Sequence, residues 1–212
     1  MTTRQTYIAA LIFSFIPGMI NILGLKLFGI VLTNVTGHYS GIIQQINQID
    51  WQVFTRILTY IGVYWLGSFY SSSCFVIGNN IKNPVVKAIP TITNLVIMAV
   101  AIYLNTIPIF LFFFSTSTQN SFGANHSKNA IRPSQITGVV MASGLDFAKY
   151  FFSDATKEIK KTIMSSFITK TLNILGFVLG GITAYYFTTV SILWIPVIFY
   201  SIVSFLIIKE KL

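Results

Sequence analysis

Long apolar runs separated by short polar and basic stretches set the pattern of this chain. The runs from Tyr7 to about Leu25, Phe54 to Gly78, Ile89 to Phe114, Ile163 to Phe187 and Ser191 to Ile208 all approach or exceed the roughly 20 apolar residues that carry a helix across a bilayer. Two shorter segments, Thr36 to about Ile49 and Thr137 to Phe152, mix apolar and polar residues. The first carries Gln44, Gln45, Asn47 and Gln48, which cannot all face lipid, so it is shielded by other helices or lies partly outside the hydrocarbon. Pro17-Gly18 predicts a kink in the first run, and Pro108 predicts a bend near Asn105. Ser115 to Ser134 reads as a polar connection with His126, Lys128 and Arg132, ending in Pro133-Ser134, a signal for the start of a helix. The pattern predicts an all-α transmembrane fold of six or seven membrane-spanning helices in one polytopic domain over residues 1–212. The first run is expected to be a retained span and not a cleaved signal.

One phrase occurs twice. Asn34-Val35-Thr36-Gly37 returns as Gln135-Ile136-Thr137-Gly138, each followed by a Ser-Gly pair, Ser40-Gly41 and Ser143-Gly144. Upstream, Asn21 is echoed by Asn120. The expectation is a duplicated three-helix unit, repeat one at about 7–78 and repeat two at about 89–187, with an extra C-terminal helix at about 191–208. Three spans per unit is an odd number, so the second copy would be inverted and the two Thr-Gly turns would meet near the middle of the membrane.

Composition sharpens the membrane reading. Hydrophobic residues make up 54% of the chain and charged residues 9%, with a mean hydropathy of +0.73, against about one quarter charged in soluble domains. The net charge of +9 sits in short loops, as the positive-inside rule predicts, and not in a nucleic-acid-binding patch. With seven spans the C-terminus is cytoplasmic and the N-terminus outside; with six, the segment after Thr36 is re-entrant and both ends are inside. Five acids, two histidines and the single Cys74 supply no paired-carboxylate site, metal cluster or nucleophile elbow, so neither an enzyme nor a bound metal or cofactor is expected.

Gly18-Met19-Ile20-Asn21, the stretch Leu23 to Leu32 and Asn34-Val35-Thr36-Gly37 resemble the opening of the YoaK-like family, small bacterial polytopic membrane proteins of unknown function. The second half is similar to that family in Gln119-Asn120, a basic stretch and another Thr-Gly. The family often has Asp where this chain has Asn21 and an acid near the position of Ala142, so any carboxylate coupling of protons or cations there lacks its residues here. The resemblance implies a multi-pass protein of the bacterial inner membrane.

Inverted-repeat transporters bind solute at the repeat interface, on helices broken by Gly or Pro. Thr36 and Thr137 can cap such helices, while Gly37 and Gly138 permit unusual backbone angles or close approach. Two inward helix N-termini favour an anion or a carbonyl-rich solute. The candidate substrate-binding set is Asn21, Asn34, Thr36, Gly37, His38, Gln119, Asn120, Thr137 and Gly138. The blander expectations are tight packing for Thr-Gly, interhelical hydrogen bonds for the amides and for His38, and a pairing of Asp146 with Lys149 along one helix. The functional alternatives are a secondary transporter or channel for a small polar or anionic solute, a non-catalytic membrane accessory or assembly protein, and an intramembrane enzyme. Lipid is the certain partner, and the sequence leaves a homo-oligomer open.

Overall fold

The computed structural model describes residues 3–44, 49–127, 129–187 and 189–209, and these form helices joined by short turns, without a strand among them. The helices are α1 (Thr3–Phe28), α2 (Val35–Gln44), α3 (Trp51–Asn80), α4 (Pro84–Leu104), α5 (Ile109–His126), α6 (Ile136–Phe152), α7 (Lys157–Tyr186) and α8 (Trp194–Ile208), with a 3₁₀ turn at Val190–Leu193 leading into α8. Local signals set many of the boundaries. Asp50 caps α3 by accepting the N–H groups of Gln52 (2.9 Å) and Val53 (3.2 Å). Asn83 does the same for α4 through Val85 N–H (2.9 Å), with Pro84 in the first turn, where its missing N–H costs nothing. Asn105, in the left-handed region at φ 50°, ends α4. Gln45, Asn47 and Gln48 lie outside the described residues.

Among the described residues, four stretches are long and apolar enough to cross a membrane: Thr3–Phe28, Pro84–Leu104, Lys157–Tyr186 and Val190–Ile208. α3 is as long as α7 but is diluted by hydroxyl residues, two of which, Thr55 and Thr59, donate to carbonyls one turn back.

Cross-helix bonds fix the direction of each long helix. α1 and α7 are parallel: Tyr7 donates to Ser165 (3.1 Å), Ser14 to Asn173 (2.6 Å) and Lys26 to the Tyr185 carbonyl. α3 and α5 are also parallel, through Ser117 to the Tyr64 carbonyl, Ser68 with Ser121 (2.6 Å) and Asn125 to Ser72 (3.2 Å). α1 and α5 are antiparallel, since Phe13 accepts from Gln119 while Phe28 meets the Phe112 ring. α3 and α4 form a hairpin, with Tyr70 bonded to Thr93 (2.6 Å). α8 runs against α4, with Thr91 and Ser204 paired 2.7 Å apart. The long helices α1, α3, α4, α5, α7 and α8 therefore alternate in direction. α1 ends and α3 starts at one end of the bundle, and α5 ends and α7 starts at the other.

The parallel seams are glycine seams. A Cβ on Gly176 or Gly180 would collide with the carbonyls of Leu11 or Phe15, and one on Gly67 with the carbonyl of Phe114. Only glycine lets the backbones come that close. Gly62, expected to help, has nothing within 4 Å of its Cβ position. The core then fills with Ile16, Met19, Ile20 and Leu23 of α1, Met98 and Ala101 of α4, and Phe112 and Phe113 of α5.

Two expectations fail between 89 and 134. The single run Ile89 to Phe114 is two helices divided at 105–108, and Ser115 to His126 is not a loop but most of α5. Ser115 through Asn120 are all buried. Ser117 donates to Tyr64 O, Thr118 to Gly67 O (3.3 Å) and Gln119 to Phe13 O (2.9 Å), while Thr116 Oγ1 has no partner among the described residues. Pro17 is buried within an unbroken α1.

Candidate functional site

Both copies of the repeated phrase stand at the start of a short helix, and both are tied to the preceding long helix by an asparagine. The Asn21 side-chain oxygen accepts the backbone N–H (3.1 Å) and the hydroxyl (3.2 Å) of Thr33. In the second half the Asn120 amide donates to the Ser134 hydroxyl and to Tyr64 Oη (2.6 Å). Thr33 and Ser134 immediately precede Asn34 and Gln135, so the duplicated phrase is one residue longer than the sequence suggests: hydroxyl, amide, β-branched residue, Thr, Gly.

The capping group is not Thr. Asn34 caps α2 by accepting Gly37 N–H (3.0 Å), while Gln135 makes no side-chain cap to α6. Thr36 and Thr137 are exposed in the first turns. Neither Gly37 nor Gly138 has positive φ. Gly37 is needed for room, because a Cβ there would strike the Asn34 side chain, but Gly138 faces open space. His38 is half-buried with its ring edge-on to Tyr60 (5.9 Å) and Phe113 (5.3 Å), and its Nε2 has no partner. Gln119 points elsewhere, donating to Phe13 O (2.9 Å) and accepting from Tyr200.

The two phrases do not form one pocket. α2 packs on α3, and α6 packs on α7. What joins them is α3, whose Tyr60 stacks with Phe113 beside His38, while Tyr64, one turn on, holds Asn120. Leu32, just before the first phrase, is fully buried in the apolar core with Leu23, while Asn34 and Thr36 stay exposed.

The second phrase opens onto space. Asn120, Asn129, Arg132 and Gln135 line a cavity of about 290 Å³. Asn120 is 7% exposed and its Oδ1 has no partner. Asn129 and Arg132 also border a larger cavity of about 1110 Å³, walled by the start of α1, by Gly138, Val139 and Ala142 of α6, and by α7 from Lys157 to Lys170. Its inner end is deep. Asn173 accepts from Ser14, halfway along α1, and donates to the Arg132 carbonyl (3.0 Å), which suspends the loop before α6 at mid-helix depth.

One charged pair lies beside this cavity. Lys170 donates to Asp146, to Ser166 (3.1 Å) and to the Ala142 carbonyl (3.4 Å), using all three ammonium protons. It links α7 to α6, where the sequence pointed to Lys149 as the partner of Asp146. Tyr64, Ser134, Asn173 and Lys170 were missed as site residues. Asn173 carried a usable signal, an amide deep in an apolar run, the same signal that drew attention to Asn21.

Alternating long helices, glycine seams and buried amide networks make this a helical, membrane-embedded protein. Its family follows from the sequence: the chain belongs to the family described as Protein of unknown function (DUF1275), whose model matches residues 9–206. Comparison with curated proteins and with solved structures gives no match.

Proposed function

We propose that the protein is a six-span carrier or channel for a small polar or anionic solute in the bacterial inner membrane, within the YoaK-like group that its motifs resemble. In this reading α1, α3, α4, α5, α7 and α8 cross, while α2 and α6 are half-helices that return to the side from which they came. Both termini are then on one side, together with every described lysine and arginine except Lys26, Arg56 and the mid-helix Lys170. That imbalance favours a cytoplasmic location for them.

The repeat boundary also moves. α1–α4 and α5–α8 are the two units, with no extra helix. Asn21 corresponds to Asn120, Thr33 to Ser134, and the contact of Gly180 with the Phe15 carbonyl to that of Gly67 with the Phe114 carbonyl. Corresponding long helices point in opposite directions, which makes the repeat inverted.

The observation that carries the transport reading is that two units built alike are packed unalike. The α6 phrase borders cavities lined by Asn120, Arg132 and Gln135 and by the lysines of α7, whereas the α2 phrase follows Leu32, which is fully buried against Gly24 of α1. Inverted-repeat carriers exchange such states by rocking one unit against the other about a central site. Asn120, Arg132 and Gln135 are the groups that meet the solute, with the N-terminus of α6 favouring an anion. The test is a solute-uptake screen in proteoliposomes comparing wild type, Asn120→Ala, Arg132→Gln and Thr36→Val. Flux falling about tenfold or more in the first two variants, but not in the third, is expected from losing a charge-assisted contact. Equal flux in all four rejects the site.

A further inference from the structure

We propose that the cavity between the start of α1, α6 and α7 is a binding site for a phosphate group. Three features converge on it. First, Arg132, Lys157, Lys160 and Lys161 all line it, and among the described residues none of them is ion-paired. Second, the acids of the same segment are excluded: Glu158 lies in the same helical turn as these lysines and Asp154 just before it, yet neither lines the cavity. Lys157, Lys160 and Lys161 recur at the spacing of one helix face, which turns Glu158 away. Third, the wall beyond them includes the hydroxyl of Ser165, which accepts from Tyr7 (3.1 Å). A concave site lined by several cations and a hydroxyl suits a multiply charged oxyanion. A basic pocket between helices at the cytoplasmic edge of a membrane also suits a phospholipid headgroup. The shared chemistry is phosphate, free or on a lipid. This deepens the transport reading by naming the ligand chemistry of the neighbouring cavity, but binding is measured without a gradient, so either idea can fail alone.

The experiment uses the full chain in neutral detergent, titrated with inorganic phosphate or with phosphatidylglycerol, and phosphatidylcholine as the uncharged control. Thermal stability reports binding. Wild type is compared with Lys160→Gln/Lys161→Gln and with Lys82→Gln/Lys87→Gln, which removes equal charge from the loop between α3 and α4. The expected result is stabilisation of wild type and the loop variant, with apparent affinity lowered about tenfold or more in the cavity variant. A response to inorganic phosphate identifies a free anion, and a response to phosphatidylglycerol alone identifies a headgroup. If the cavity variant does not fold, Arg132→Gln provides the same comparison. Equal responses in all variants, or no response to either ligand, overturns the proposal.

Discussion

The Asn21 side-chain oxygen holds Thr33 by two hydrogen bonds, to its N–H at 3.1 Å and to its hydroxyl at 3.2 Å. This ties the start of α2 to a point on α1 well short of its end at Phe28, about 10 Å inward at the rise of an α-helix. Asn120 and Ser134 repeat the arrangement between α5 and α6. Both short helices are thus suspended from the neighbouring long helix by the residues that lead into them, while most of their length stays half-buried or exposed.

That suspension is measurable. Asn21→Ala leaves a backbone N–H in an apolar setting without its acceptor, at a cost of about 1–3 kcal/mol, while Thr33→Val removes only the hydroxyl, at about 1 kcal/mol. Thermal unfolding in detergent, run as a double-mutant cycle, reads the coupling. Additive losses in the double variant would mean that the pair does not act as a unit.

The glycine seams give an ordered series. Gly180→Ala and Gly67→Ala each force a methyl group into a carbonyl of the facing helix, and overpacking of this kind costs about 1–3 kcal/mol. Gly62→Ala meets nothing and gains roughly 0.5–1 kcal/mol from helix propensity. Unfolding midpoints should therefore fall for the first two and hold or rise for the third.

Much of this architecture is legible in the sequence, and the failures share a cause. α1, α7 and α8 announce themselves because their apolar runs are long, and the repeated phrase marks both half-helices because its cap and hydroxyl positions are local. α5 is hidden because Ser115-Thr116-Ser117-Thr118-Gln119-Asn120 reads as exposed polar chain, whereas inside the bundle Ser117, Thr118 and Gln119 donate to carbonyls of α3 and α1. The parallel pairing of α1 with α7 is invisible for a different reason. It depends on Gly176 and Gly180 meeting Leu11 and Phe15 across most of the chain, and no local pattern encodes that partner. Asp146 likewise had Lys149 in reach along its own helix, but the fold offers it Lys170, where three acceptors fix one ammonium.

Lys170 and Asp146 have side chains only 21% and 13% exposed, so their separation should be costly. Lys170→Met strands a carboxylate in a poorly solvated position, and breaking such a pair costs about 3–5 kcal/mol. The double variant Lys170→Met/Asp146→Leu should recover most of that loss, since an apolar pair of similar size is often neutral. Unfolding of the two single variants and the double variant decides it, and a double variant no better than the worse single would show that the pair contributes little as a pair.

In the proposed six-span arrangement, the alternation of the long helices decides which residues share a side of the membrane. Arg4 at the start of α1, Phe152 at the end of α6 and Lys209 at the end of α8 lie together, opposite Tyr103 at the end of α4 and Tyr186 at the end of α7. With Cys74→Ser as background, single cysteines at these five positions can be probed on intact cells with a membrane-impermeant maleimide. Tyr103→Cys and Tyr186→Cys, at sites 88% and 75% exposed, should label at once. Arg4→Cys, Phe152→Cys and Lys209→Cys should label only after permeabilisation, because the proposed orientation puts the lysine- and arginine-rich face in the cytoplasm. A seven-span chain behaves differently: a crossing α2 or α6 puts Arg4 and Lys209 on opposite sides. Labelling of Arg4→Cys but not Lys209→Cys in intact cells would therefore exclude the half-helix arrangement, and with it the two-unit carrier built on it.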